Sequence, residues 1–398
     1  MKKHRLLQVL SLMLATAVSS SVNAEIKIGA AFALTGGIAG LAADMKSGAA
    51  LAMKHVNEQG GVLDQKYQLI YKDSGCNPDK AVDVITKLIE EDKVSAIVGP
   101  VCSGATLRQA RSVSIPAGVV SLSVASSSMI ISRLRDDDLV FRTVISDALK
   151  GEKMAEFAIN NGIKDIAVSS ANDAYSTGSA KAFSEAYKAR GGRILVSQVH
   201  QADRPDYKRE MSALLARSKN IALFAYYRSG VQVLKDAFSL GETNWILATD
   251  SMLAQELIDE LGAEALKSTR IFNNTSDDRR VAFETWSGYA KQAGIPPKGP
   301  AVASSYDAAF MMALAIEAMG SADRADISKG LRAISGPEGE VILPGEFRKA
   351  KRILKDGGSI NYDGGSGAVD FDKNGDVSGF VGVSHVEDGQ WKSEIIRQ

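Results

Sequence analysis

The feature that most constrains this chain is an alternation, run through twice, of short β-rich apolar stretches with longer stretches of helical period. Residues 26–33, 67–72, 94–98 and 119–125 read as strands rich in Ile, Val and Leu. Between them, Met45, Ala49, Ala52 and Val56 recur on one helical face, and Ala81, Ile85 and Leu88 do the same in the next segment. Continuous apolar strands alternating with amphipathic helices predict a parallel sheet covered on both faces. The pattern then restarts, with strand-like runs at 166–170, 194–199, 221–226 and 245–249 and helical stretches that include 179–190 and 207–217. The expected fold class is therefore α/β, with two doubly wound parallel-sheet lobes.

The chain opens with Lys2, Lys3 and Arg5, continues through an apolar stretch at 6–18 and reaches small residues ending at Ala24. That is the form of a cleavable secretory signal peptide, residues 1–24. Its apolar core is shorter than the roughly 20 residues a spanning helix needs. Cleavage would leave Glu25 at the N-terminus, whereas a lipoprotein requires Cys there, so a periplasmic, unlipidated protein is expected. No later stretch reads as a membrane span, and 47 Lys plus Arg balance 47 Asp plus Glu. Nucleic acid and anionic membranes, which need a basic face, are therefore poor partners. The 398 residues exceed the usual domain of about 150 and predict two domains.

Cys76 and Cys102 are the two cysteines. An oxidising compartment favours a disulfide, with a metal pair or a catalytic thiol as the alternatives.

Ligands of open α/β sheets bind outside the carboxyl ends of the strands, so the residues just after each strand are the candidates. GPVCSGAT, at 99–106, places Ser103 at a helix start suited to an anion, or to an ordinary cap. Ala125, followed by Ser126, Ser127 and Ser128, offers acceptors for an ammonium, or solvated turn chemistry. Asp250, directly after a strand, is either a partner for a cation or an N-cap. Tyr175, Tyr226 and Tyr227 suit the wall of a small-molecule pocket. An anion site on one lobe and a carboxylate on the other together suggest a zwitterion held between them.

Other chemistries find less support. Neither array carries a phosphate-binding glycine motif, so no nucleotide cofactor is expected. His55, His200 and His385 lie apart from any catalytic motif and are read as packing or surface residues, so the chain is not read as an enzyme. Asp370, Asp372, Asn374, Gly375 and Asp376 match the opening of a calcium loop, but the twelfth position is Val381 rather than a carboxylate. The segment is read instead as a hairpin turn between strands at 368–371 and 377–383. No metal is called for.

IKIGAAFALTGG, VNEQGGV, DSGCNPDKA, IVGPVCSGAT, NDAYSTG and FDKNGD, in this order and spacing, resemble the periplasmic branched-chain amino acid binding proteins. These are the leucine/isoleucine/valine class of the type I periplasmic binding proteins, and the resemblance covers nearly the whole mature chain. It implies a Cys76–Cys102 disulfide, with Ser103 on the ligand carboxylate and the Ala125 carbonyl and Ser127 hydroxyl on its ammonium. It also implies that Tyr175, Tyr226 and Asp250 close over the ligand from the second lobe, Asp250 standing where the leucine-type proteins carry Glu. Leu41 and Ala301 stand where the branched-chain binders have aromatic side chains, which implies a wider pocket. Arg228 adds a positive charge that faces either the cleft or solvent.

Lobe boundaries are expected at 25–144 plus 274–375, and 145–273 plus 376–398, joined by a hinge of three segments near 142–146, 272–275 and 376–380. Closure about such hinges is a known form of switching, for which periplasmic binding proteins are the standard example. The resemblance implies a monomeric substrate-binding component of an ABC importer, docking on a membrane permease. An amide, urea or aromatic-acid receptor is the alternative, and a periplasmic hydrolase the more distant one.

Overall fold

The computed structural model describes residues 25–241 and 243–396, so the expected signal peptide at 1–24 lies outside the described residues. Strands β1 (Glu25–Phe32), β2 (Lys66–Asp73), β3 (Ala96–Val98), β4 (Ser121–Ser123) and β5 (Val140–Arg142) form a parallel sheet in the order β2-β1-β3-β4-β5. Strands β6 (Asp165–Ala171), β7 (Arg193–His200), β8 (Asn220–Phe224), β9 (Trp245–Thr249) and β10 (Thr269–Thr275) repeat the same order as β7-β6-β8-β9-β10. A short parallel pair, β11 (Glu340–Ile342) and β12 (Ile360–Tyr362), stands apart. The second sheet is extended past β10 by the antiparallel strands β13 (Phe380–Glu387) and β14 (Gln390–Ile395).

Several strands are shorter than their apolar runs. The runs at 94–98, 119–125 and 221–226 contribute only β3, β4 and β8: 94–95 and 119–120 are lost at the amino ends, and 124–125 and 225–226 turn at the carboxyl ends into loops that face the cleft. Tyr226 is the extended residue that precedes the helix Tyr227–Leu240. The C-terminal hairpin is also corrected. Phe371 and Val377 form one isolated antiparallel bridge, and the strand begins only at Phe380. Between them Asp372 closes its own turn, accepting from the backbone amides of Asn374 and Asp376.

Among the described residues, one apolar helix does reach membrane-spanning length. The helix Val302–Met319 has 18 residues with a mean hydropathy of 1.2, and 83% of it is buried inside the protein. Its apolarity reflects a core position all round, where Phe310, Met311 and Leu314 pack with β1 and the helix Ala39–Glu58. The two helices approach closely at Gly48, where a Cβ would lie 2.5 Å from the carbonyl oxygen of Val302. That approach sets the position of Ala301, held in the left-handed region at φ +56° just before the helix.

Cys76 and Cys102 form a disulfide, with Cα atoms 5.4 Å apart. The bridge ties the loop after β2 to the start of the helix Ser103–Gln109. Replacing both cysteines by serine is expected to cost about 3.5 kcal/mol on the loop-entropy scale, across a separation of 26 residues. A urea unfolding midpoint unchanged from wild type would refute this.

His200 is a packing residue, 3% exposed, with Nδ1 on the Ser169 hydroxyl and its ring edge-on to Tyr207. Burial lowers its pKa to about 4, and Nε2 is buried without a partner. The unfolded chain therefore binds a proton that the folded one refuses, so stability is full above the unfolded pKa near 6.5 and lost as pH falls toward 4. Thermal melts of wild type and His200→Gln between those limits are expected to converge at the acid end.

Candidate functional site

A cavity of about 500 Å³, counting the space open to solvent at its mouth, lies between the carboxyl ends of the two sheets. One wall is apolar, made by Ile38, Leu41, Met45 and Val101 with Pro300 and Ala301. The other carries Tyr175, Tyr226, Asp250, Ser251 and Asn274, and Ala125 lines the cavity just past the end of β4. This is the switch-point geometry that both sheets' strand order predicts.

On the polar wall, Asp173 caps the helix Ala174–Ala189 by accepting from the amides of Tyr175 and Ser176, which sets Tyr175 in the first turn. The Tyr175 and Tyr226 rings stack with centroids 5.0 Å apart. The Tyr175 hydroxyl reaches Asp250 Oδ1 at 2.9 Å and Thr249 Oγ1 at 2.8 Å. Burial first, and then the Asp250 and Asp147 charges, push the Tyr175 phenol well above its usual pKa, so it stays protonated. Asp250 opens a short 3-10 turn whose N-cap position is Thr249, and its carboxylate is held by Tyr175, Lys150 and the backbone amide of Asn274. Tyr227 points elsewhere, with its hydroxyl on Glu260.

Behind Asp250 sits a lysine that the sequence reading passed over. Lys150 is 1% exposed, and its Nζ lies 2.8 Å from Asp250 Oδ2 and 3.4 Å from Asp147 Oδ1. Burial works against its charge, but the Asp250 and Asp147 carboxylates outweigh that and raise its pKa above the ordinary lysine value. Asp147, also 1% exposed, accepts from the Ser179 hydroxyl at 2.7 Å. The contact requires close helix packing, which Gly151 permits, since a Cβ there would lie 2.7 Å from the backbone of Ala182 and Phe183.

The first-sheet side differs from expectation. Ser103 is 1% exposed and does not line the cavity. Its hydroxyl accepts from the Ser128 amide. Ser127 is likewise buried outside the lining, its carbonyl accepting from the Asp147 amide. The serine cluster is not solvated turn chemistry. Arg142, wholly buried, donates to the carbonyls of Ser126 and Ser128, to the Ser132 hydroxyl and to Asp376. Arg228 is exposed and does not line the cavity.

Thus Leu41, Ala125, Tyr175, Tyr226, Asp250 and Ala301 share one cavity, whereas Ser103 and Ser127 lie just behind it. Three further residues shape the site. Asp147 and Lys150 had a legible signal: an acid and a base three apart on a helix face otherwise filled by Gly151, Met154 and Ala158. Asn274, whose backbone amide donates to Asp250 Oδ2 at 3.5 Å, leaves its buried side-chain Oδ1 without a partner in the cavity wall. Its sole sequence signal was its place in an expected hinge segment.

A family profile described as Periplasmic binding protein matches residues 25–356. The Leu/Ile/Val-binding protein BraC3 of Rhizobium johnstonii is 28% identical over 79% of this chain and 85% of its own length. The leucine-, isoleucine-, valine-, threonine- and alanine-binding protein of Pseudomonas aeruginosa is 27% identical over 77% of this chain and 82% of its own. Among solved structures, the leucine-binding protein LivK of Thermotoga maritima superposes with a TM-score of 0.78 at 26% identity, covering 93% of this chain and 97% of that one.

Proposed function

The chain belongs to the periplasmic binding protein family, a family of substrate-binding proteins rather than enzymes, and from that premise we propose that it captures an amino acid, branched-chain or related, for an ABC importer. The observation that carries this reading is a single cavity with an aliphatic wall on one side and Asp250, Asn274 and two stacked tyrosines on the other. An amino acid has that division: an apolar side chain beside a charged head. Burying the head is costly unless its charges meet partners, and closing the cleft supplies them while removing water.

The proposed lobes are 25–144 with 274–375, and 145–273 with 376–398, closing about the segments at 142–146, 272–275 and 376–380. Support comes from the membership of the sheets: β1–β5 build one, and β6–β10 with β13 and β14 build the other. In this reading Ser103 and Ser127, which lie behind the cavity lining, come within reach of the ligand when Tyr226 shifts as the cleft moves. The mature protein starts at Glu25, is free in the periplasm without a lipid, works as a monomer and presents its closed form to a membrane permease. The ligand is released unchanged.

The test is native mass spectrometry of the purified protein, followed by calorimetry against branched-chain amino acids, aromatic acids, amides and urea. An unmodified aliphatic amino acid as the tightest ligand is the expected result. Preference for an aromatic acid or an amide, or recovery of a hydrolysed product, would overturn it.

A further inference from the structure

We propose that Lys150 is a specificity-determining residue that reduces the negative charge offered to the ligand's head, so that the site accepts 2-hydroxy acids beside the amino acids of the same side chain. This rests on the amino-acid reading above and deepens it.

Asp250 is the carboxylate that lines the cavity, and Asp147 is a second one behind it, buried and bonded to Ser179. Two carboxylates without a counter-ion would require a full positive charge from whatever fills the cleft. Lys150 sits between them, within 2.8 Å of one and 3.4 Å of the other, and does not itself reach the cavity lining. One ammonium against two carboxylates leaves a single negative charge for the group. The remaining bonds to Asp250 come from neutral donors, the Tyr175 hydroxyl on Oδ1 and the Asn274 amide on Oδ2.

The Asp250 oxygen that a ligand meets is thus already part of a compensated pair. It still accepts a hydrogen bond, and an ammonium remains the better donor, but a hydroxyl in the same place no longer leaves two bare anions buried. The discrimination between the two head groups is set by the internal lysine rather than by a residue that touches the ligand.

The experiment is calorimetry of L-leucine, L-isoleucine and L-valine, each against its 2-hydroxy isostere, with wild type, Lys150→Gln and Asp147→Asn. The readout is the ratio of hydroxy-acid Kd to amino-acid Kd, which a merely structural weakening of the pocket would leave unchanged. Lys150→Gln removes the compensating charge and is expected to raise the ratio about tenfold or more. Asp147→Asn removes one anion, keeps an acceptor for Ser179 and is expected to lower the ratio by about the same factor. Melting curves establish that each variant is folded, and if Lys150→Gln is not, Asp147→Asn decides alone. A ratio within about threefold of wild type in a folded variant overturns the role of Lys150. Failure of wild type to bind any of the three amino acids or their isosteres would instead overturn the amino-acid reading itself.

Discussion

Replacing Asp250 by alanine is expected to weaken binding of the cognate amino acid by about 3–5 kcal/mol, the range for removing one partner of a buried charged pair. In calorimetry that is a Kd raised by roughly two to four decades. Two causes act together. The ligand ammonium loses the one carboxylate that lines the cavity, and it then faces Lys150, whose charge stays in place because Asp147 still holds it at 3.4 Å. For the same reason the fold should survive, since the lysine is not left without a partner. An affinity unchanged in the alanine variant would remove Asp250 from the site.

The second large effect is on stability. Asp376→Ala is expected to destabilise the protein by about 3–5 kcal/mol, because it strips the carboxylate partner from a guanidinium that water cannot reach. Arg142 is fully buried, and its Nε donates to Asp376 Oδ1 at 2.7 Å. Its other donors hold the carbonyls of Ser126 and Ser128 at 3.4 and 3.0 Å, so the change also loosens the loop beside Ala125. The pair joins the end of β5 to the segment leading into β13, two of the three expected hinge strands. Chemical denaturation reads the effect as a lowered midpoint. A midpoint equal to wild type would show that the buried pair contributes nothing net.

Most of the architecture was legible because it is carried by local periodicity. Met45, Ala49, Ala52 and Val56 are all buried on one face of the helix Ala39–Glu58, as their spacing requires. The run 245–249 is β9 itself. Where the reading overran, as at Tyr226, the apolar stretch continues past the last ladder bond into a loop whose apolarity serves the cleft rather than the sheet. The helix Val302–Met319 shows the converse, since its hydropathy alone does not distinguish a bilayer from a protein core.

The candidate site was legible by rule, not by contact. That ligands gather past strand ends was enough to single out Ala125, Tyr175, Tyr226 and Asp250, each of which follows a strand closely in sequence. Leu41 and Ala301 came from the family resemblance, whereas the Cys76–Cys102 pair was favoured by the oxidising compartment as well. Lys150 and Asn274 escaped because they lie one layer deeper or in a crossover, where a residue's meaning depends on what is packed against it.

The alternation of strands and helices, the two mainly parallel sheets and the strand ends at which to look for a ligand follow from the sequence alone, because strand burial and helical period are properties of neighbours along the chain. Which charge answers which does not follow from it. Lys150 and Asp250 are 100 positions apart, and only the close packing of two helices at Gly151, with β9 ending beside them, brings Asp147, Lys150 and Asp250 together out of water. Coulombic interaction depends on separation and dielectric, and both are products of the tertiary structure.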